Sequence, residues 1–151
     1  MHRSIVTGSR IAAALALALT VTPRVASAQS GKPPVLMPAG DLKWVDNPAV
    51  KGAKIAVLWG DPKTGAYGAF KKVPAGFKFG LHSHTADQQV VMISGTISVM
   101  TDGGPAQPFV TGSYMFMPGG KIHSADCNAG ADCMYFEQQP GANDMKPAPK
   151  K

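Results

Sequence analysis

The chain has 151 residues, a formal net charge of +6 and 44% hydrophobic residues. This length supports one domain with its own core and leaves no room for two. The basic residues are scattered and are not interleaved with aromatics on one face, so the sequence predicts no nucleic-acid partner.

The first 28 residues have the order of an export signal. Arg3 and Arg10 precede a short apolar run at residues 11–21, and residues 26–28 (Ala-Ser-Ala) supply a small-residue cleavage site. The run is too short to span a hydrocarbon core of about 30 Å. We therefore predict a signal peptide over 1–28 and a periplasmic or secreted mature protein with no membrane attachment. Its cleavage removes three arginines and no acid, which lowers the formal charge from +6 to +3.

The mature chain divides into three parts by composition. Residues 29–39 and 143–151 are rich in proline and lysine and lack a periodic apolar pattern, which is typical of flexible arms. The residues between them, 40–142, are the predicted folded domain.

This domain has the pattern of an all-β fold. No stretch sustains a 3.6-residue apolar repeat, whereas short runs rich in Val, Ile, Phe and Tyr alternate with Gly, Pro and Asp turns. About eight strands at this spacing indicate a jelly-roll sandwich or barrel. The predicted strands are 53–59, 67–73, 78–84, 88–93, 96–101, 114–117, 122–125 and 134–138.

Three histidines remain after the predicted leader is removed. His82 and His84 are two apart, so on a strand both imidazoles project from one face, and His123 can join them from a neighbouring strand. Three neutral imidazoles on one side of an ion leave its other side open to water or substrate. The sequence therefore predicts a metal site.

The glycines and prolines around the histidines carry a resemblance to a known family. A first motif is carried by Gly76, His82, His84, Gln88 and Gly95, and a second by Gly112, Pro118, Gly120 and His123. With these motifs the chain resembles the cupin superfamily, in which asparagine is usual at the position of Cys127, and it is similar to the cupin domain of zinc-binding anti-sigma factors and to three-histidine diketone dioxygenases. The resemblance implies a single-domain, RmlC-like jelly-roll β-barrel, and also a homodimer.

Gln88 stands at the motif position that glutamate usually occupies, so we predict it as the fourth ligand through its amide oxygen. Gln89 is the alternative, because a β-bulge would exchange which residue points inward. Either set lacks a negative ligand, which weakens the attraction for hard Mn²⁺. Imidazole-rich sites suit Fe²⁺, Zn²⁺, Ni²⁺ or Cu²⁺ better.

The two cysteines, Cys127 and Cys133, bracket a turn-like segment. In an oxidising compartment this spacing predicts a disulfide across a hairpin. The alternative is that Cys127, four residues beyond His123 and on the same strand face, is a soft metal ligand.

The sequence leaves the roles of three charged residues open. Glu137, the only glutamate, is expected to be a solvated carboxylate on a strand face, and to be catalytic, as a general base, if it points into the barrel. Lys71 and Lys72 are adjacent, and an exposed pair is expected; the alternative is that one of them steers an anion to the mouth of the site.

Two functions fit this pattern. The first is an exported, metal-dependent enzyme acting on a small-molecule substrate, of oxygenase (dioxygenase-like), lyase or isomerase type. The second is a non-catalytic module that binds a metal or a small molecule.

Overall fold

A computed structural model describes residues 31–48 and 50–149, and the predicted signal peptide lies outside these residues. No helix in the described ranges is long and apolar enough to cross a membrane. Residues 31–38 are exposed and have no regular secondary structure, and a single 3-10 turn follows at Ala39–Asp41. The strands are β1 Val45–Asp46, β2 Lys54–Gly60, β3 Tyr67–Val73, β4 His82–Ser83, β5 Gln88–Ser94, β6 Ile97–Thr101, β7 Gln107–Phe109, β8 Tyr114–Met117, β9 His123–Cys127, β10 Cys133–Gln139 and β11 Lys146–Pro147.

The strands form two sheets, and every pairing is antiparallel. The first sheet has the order β1-β2-β3-β10-β5-β8, and the second has the order β11-β4-β9-β6-β7. Alternate residues of both sheets enter one apolar core, for example Val73 and Val90 from the first and Ile97 and Val99 from the second. This confirms the predicted all-β, single-domain jelly roll.

All eight predicted strands are present, but one is much shorter than expected. β3 and β8 have the predicted bounds, whereas the run predicted at 78–84 keeps only His82 and Ser83 in β4. Gly80 lies just before it with a φ of +65°, a left-handed conformation that interrupts an extended strand. The three strands that the sequence did not predict, β1, β7 and β11, are only two or three residues long.

The structure corrects the predicted C-terminal boundary at residue 142. Lys146 and Pro147 pair with Ser83 and His82 of β4, and the Ala148 N–H donates to the Leu81 carbonyl at 2.9 Å. Residues 143–148 are therefore part of the domain and are not a flexible arm. Composition misled the prediction because strand pairing uses backbone groups, which proline- and lysine-rich segments also possess.

Cys127 and Cys133 form the predicted disulfide, with their Cα atoms 5.9 Å apart. The expected hairpin is wrong, because Cys127 ends β9 in the second sheet and Cys133 begins β10 in the first. The bridge therefore joins the two sheets. Since both sulfur atoms are used in it, the alternative role of Cys127 as a metal ligand is also wrong.

Candidate metal centre

The three histidines lie together inside the barrel. His82 in β4 is directly opposite His123 in β9, and His84 lies one residue beyond the end of β4. The ring centroids are 4.4 Å apart for His82 and His123, 5.0 Å for His82 and His84, and 5.4 Å for His84 and His123. One nitrogen of each ring lies within 4.8 Å of the others, and all three side chains are buried.

Each histidine uses its Nδ1 atom in the same way. His82 Nδ1 donates to the Gly80 carbonyl at 2.9 Å, His123 Nδ1 donates to the Lys121 carbonyl at 3.0 Å, and His84 Nδ1 donates to the carbonyl of Asp144. A carbonyl oxygen can only accept, so all three protons are held on Nδ1. The three Nε2 atoms are left with lone pairs, which is the tautomer that metal-ligating histidines require.

Burial also keeps two of these imidazoles, those of His82 and His123, neutral. Loss of hydration lowers the pKa of His82 to about 4 and lowers the pKa of His123 in the same direction. The hydrogen bonds to backbone carbonyls oppose this effect but do not outweigh it. Both rings are therefore unprotonated at neutral pH and available to a metal ion.

Gln88 offers a further donor atom. It is buried on β5 beside the same cavity as the histidines, and its Nε2 donates to Glu137 Oε2 at 2.7 Å. Its Oε1 is buried and accepts no hydrogen bond from any of the described residues. Buried acceptors are rarely left unpaired, so this oxygen and the three Nε2 atoms fit a divalent transition metal.

Gln89 does not share this position. The pairing of β5 with β8 is continuous through Gln88 and Gln89, with no bulge that would turn Gln89 inward. Its Oε1 instead accepts a hydrogen bond of 2.9 Å from Gln138 Nε2, on the other face of the sheet from Gln88. The alternative ligand Gln89 is thus placed outside the cavity.

Glu137 is not the solvated carboxylate that its residue type suggested. It is 1% exposed, because β10 turns residues 133, 135, 137 and 139 inward. Its Oε1 accepts from the Tyr67 hydroxyl, from Lys71 Nζ and, at 3.1 Å, from Gln139 Nε2. Burial raises the pKa of Glu137, but the Lys71 ammonium and the hydrogen bonds from Lys71 and Tyr67 outweigh this effect, so the pKa lies below its ordinary value. A carboxylate held in this way is a weak base, so the geometry does not favour the catalytic role predicted for it.

Lys71 is the partner of Glu137, and it corrects the expectation of an exposed lysine pair. Its Nζ also donates to the Tyr67 hydroxyl and to Asn143 Oδ1, each at 3.3 Å, so its three protons all have acceptors. Lys72 points outward and lies 4.2 Å from the ring centre of Trp44. The two-residue alternation of β3, which places Lys71 on the face of Ala69 and Val73, was the available signal for this burial.

The three histidines line a cavity of about 50 Å³ together with the polar side chains of Gln88, Glu137 and Lys71. Its remaining wall is largely apolar and comes from both sheets. A cavity of this size beside the histidines admits a few atoms of a ligand rather than a large molecule. The apolar residues of the wall are Val50, Phe79, Val90, Met92, Ile97, Val99, Phe109, Met115, Ala125 and Met145.

Residues 32–141 match the sequence model of the ChrR cupin-like domain family. The chain belongs to this cupin family. Among solved structures, this cupin is similar to the polyketide cyclase RemF from Streptomyces resistomycificus (TM-score 0.61, 18% identity, 74% of this chain and 83% of that one). It is also similar to KdgF from Halomonas sp., with a TM-score of 0.57 and 17% identity over 70% of this chain and 94% of that one. No curated protein shows a significant sequence match.

A third similar structure is the DMSP lyase DddQ from Ruegeria pomeroyi DSS-3. It has a TM-score of 0.58 and 16% identity, and the match covers 72% of this cupin and 62% of that chain. At such identities these likenesses establish the shared cupin fold and nothing about a common reaction.

Proposed function

We propose that this cupin is an exported, metal-dependent enzyme that acts on a small molecule in the histidine cavity. The observation that carries the proposal is the common arrangement of the three histidines. Each donates its Nδ1 proton to a backbone carbonyl, which leaves three buried Nε2 lone pairs within one cluster. Histidines that only fill a core have no need of this shared tautomer.

The chain's own residues would divide the work between holding the ion and enclosing the substrate. His82, His84, His123 and Gln88 would hold the metal, which when bound supplies Lewis acidity toward an oxygen atom of the substrate. The apolar wall excludes water and favours a substrate whose remaining surface is apolar. Two of the similar structures are named as enzymes of small molecules, a polyketide cyclase and a DMSP lyase, which supports this class of ligand.

The donor set favours iron, zinc, nickel or copper over manganese. Three neutral imidazoles and an amide oxygen provide no negative ligand, and the buried charge of Glu137 is balanced by Lys71. Elemental analysis of protein purified after export is the direct measurement. Manganese as the bound metal in stoichiometric amount would contradict this choice.

The proposal is tested by comparing the purified protein with a His82→Ala, His84→Ala double variant and with Gln89→Ala as a control outside the cavity. We expect about one metal ion per chain in the wild type and the control and none in the double variant.

Turnover of the same proteins would be measured on a panel of enolisable diketones and small organic acids, in air and without it. Oxygen dependence would indicate an oxygenase, and oxygen-independent turnover a lyase or isomerase. Turnover that survives in the double variant would overturn the proposal, whereas tight zinc with no turnover would support the non-catalytic binding role.

The disulfide supports the proposed export, because such bridges persist in oxidising compartments. We expect mass spectrometry of the protein recovered from the periplasm or medium to find Gln29 as the first residue. Recovery of the intact N-terminus in the cytoplasm would contradict export.

A further inference from the structure

We propose that Glu137 is the positioning residue of the metal centre. In this inference, Glu137 fixes the amide of Gln88 so that the Gln88 oxygen serves as the fourth ligand. The inference rests on the proposed function only in requiring that the histidines bind a metal ion.

The first observation is that Glu137 is held on both of its oxygens. Tyr67, Lys71 and Gln139 donate to Oε1, and the amide nitrogen of Gln88 donates to Oε2. The side chain is 1% exposed, so its carboxylate cannot turn toward solvent without breaking buried hydrogen bonds. Oε2 is thereby directed at residue 88 by the other three donors.

The second observation is the orientation of the Gln88 amide. A carboxylate only accepts hydrogen bonds, so it must face the NH₂ end of that amide. The 2.7 Å contact between Gln88 Nε2 and Glu137 Oε2 therefore decides which atom remains for the cavity. That atom is Oε1, which is buried and has no hydrogen-bond partner among the described residues. A metal in the histidine cluster would satisfy it.

The third observation explains why glutamine occupies this position. A glutamate at 88 would bring a second carboxylate to hydrogen-bond distance from Glu137, where the two negative charges repel each other unless one group takes up a proton. Lys71 cannot compensate for it, because its three protons already serve Glu137, Tyr67 and Asn143. Residues 88 and 137 thus form a matched pair of one amide and one carboxylate.

The test is a double-mutant cycle on this pair. Zn²⁺ affinity would be measured by competition with a chromophoric chelator for the wild type, Gln88→Glu, Glu137→Gln and the double variant that exchanges the two side chains. Gln89→Glu is the matched control, because it adds the same charge one residue away, outside the cavity. Each single variant is expected to lose about tenfold or more in affinity. The exchanged pair is expected to bind at least about tenfold more tightly than Gln88→Glu, and the control to match the wild type.

A second readout separates positioning from simple loss of folding. The d–d absorption of bound Co²⁺ should change in Glu137→Gln and return toward the wild-type spectrum in the exchanged pair. Urea unfolding of each protein with a chelator present gives the stability of the metal-free fold for comparison. The inference is overturned if Gln88→Glu binds Zn²⁺ as tightly as the wild type, or if the effects of the two single variants simply add.

The result also distinguishes this inference from the proposed function. Wild-type protein that binds no Zn²⁺ overturns both. Zn²⁺ binding that requires His82 and His84 but is insensitive to Glu137 overturns the positioning role alone.

Discussion

Buried charge is the feature of individual residues that most shapes this site. Glu137 and Lys71 are among the most polar side chains in the chain, yet both lie inside the barrel, where each compensates the other. An ion pair of this kind is not in itself a strong source of stability, because both groups lose their hydration. The ion pair instead fixes the orientation of the carboxylate that contacts Gln88.

Replacing Lys71 should therefore destabilise the fold. Lys71→Met leaves the Glu137 carboxylate buried without a counter-charge, and we expect it to lower the free energy of unfolding by about 3–5 kcal/mol. Lys72→Met is the matched control, because that side chain is exposed and loses only its contact with Trp44, worth about 0.5–1 kcal/mol. Urea denaturation of both variants provides the comparison. Equal losses in the two would contradict the buried ion pair.

The lowered pKa values of His82 and His123 predict how the stability of the metal-free protein changes in acid. Burial lowers the pKa of His82 to about 4, whereas the unfolded chain titrates near the ordinary value of 6.5. Between these values only the unfolded state binds the proton, so stability falls as pH is lowered from 6.5 toward 4. The lowered pKa of His123 acts in the same direction.

This response is checked by urea denaturation with a chelator at pH 7 and at pH 5, above the range where carboxylates protonate. The wild type should unfold at lower urea at pH 5, and His82→Gln should show a smaller difference between the two pH values. An identical midpoint at both pH values in the wild type would argue against neutral, buried histidines.

Two of the two-residue strands, β4 and β11, position several groups of the site. β4 contains only His82 and Ser83, and β11, which pairs with it, contains only Lys146 and Pro147. The segment leading into β11 supplies the carbonyl of Asp144 to His84 and the amide oxygen of Asn143 to Lys71. Sequence patterns could not show this, because strands of two residues are too short for a period to be read.

Truncation should therefore affect the metal centre as well as the fold. A chain ending at Ala142 loses the acceptor of His84 Nδ1, and we expect its Zn²⁺ affinity to fall about tenfold or more. A chain ending at Pro149 keeps the whole segment and should bind Zn²⁺ like the full-length protein. Chelator competition measures both. Unchanged affinity after removal of residues 143–151 would show that His84 does not depend on this segment.

At the scale of the whole domain, the two sheets share one core and are joined covalently within it. The bridge from Cys127 to Cys133 links the end of β9 to the start of β10, and these strands carry His123 and Glu137 respectively. It therefore ties the strand of one histidine of the cluster to the strand of the carboxylate that contacts Gln88. The predicted homodimer stays a prediction, which sedimentation of the purified protein would test.

Loss of the disulfide should have a modest effect, because the loop that it closes is short. We expect Cys127→Ser, Cys133→Ser to lower the free energy of unfolding by about 2 kcal/mol, on the chain-entropy account. Urea denaturation of this double variant, alongside the reduced wild type, is the measurement. A loss close to zero in both would indicate that the core alone sets the register of the two sheets.

The sequence by itself determined the fold class and the three histidines of the site. Apolar runs of strand length, separated by glycine and proline turns, indicate an all-β domain because their two-residue period is a local property. Each histidine also stands at its expected position within one of the two cupin motifs, and each motif is a short stretch of sequence. The disulfide was also predictable, since only two cysteines are present to pair.

Only the tertiary structure decided what surrounds the histidines. The alternation of β3 separates Lys71 from Lys72, but whether Lys71 meets Glu137, and whether Glu137 is solvated, depends on which side of each strand meets the other sheet. The orientation of Gln88 depends on the Glu137 carboxylate, 49 positions along the chain, and the acceptor of His84 Nδ1 is the backbone carbonyl of Asp144, 60 positions away. Such contacts arise from packing between distant segments, and no local pattern in the sequence encodes them.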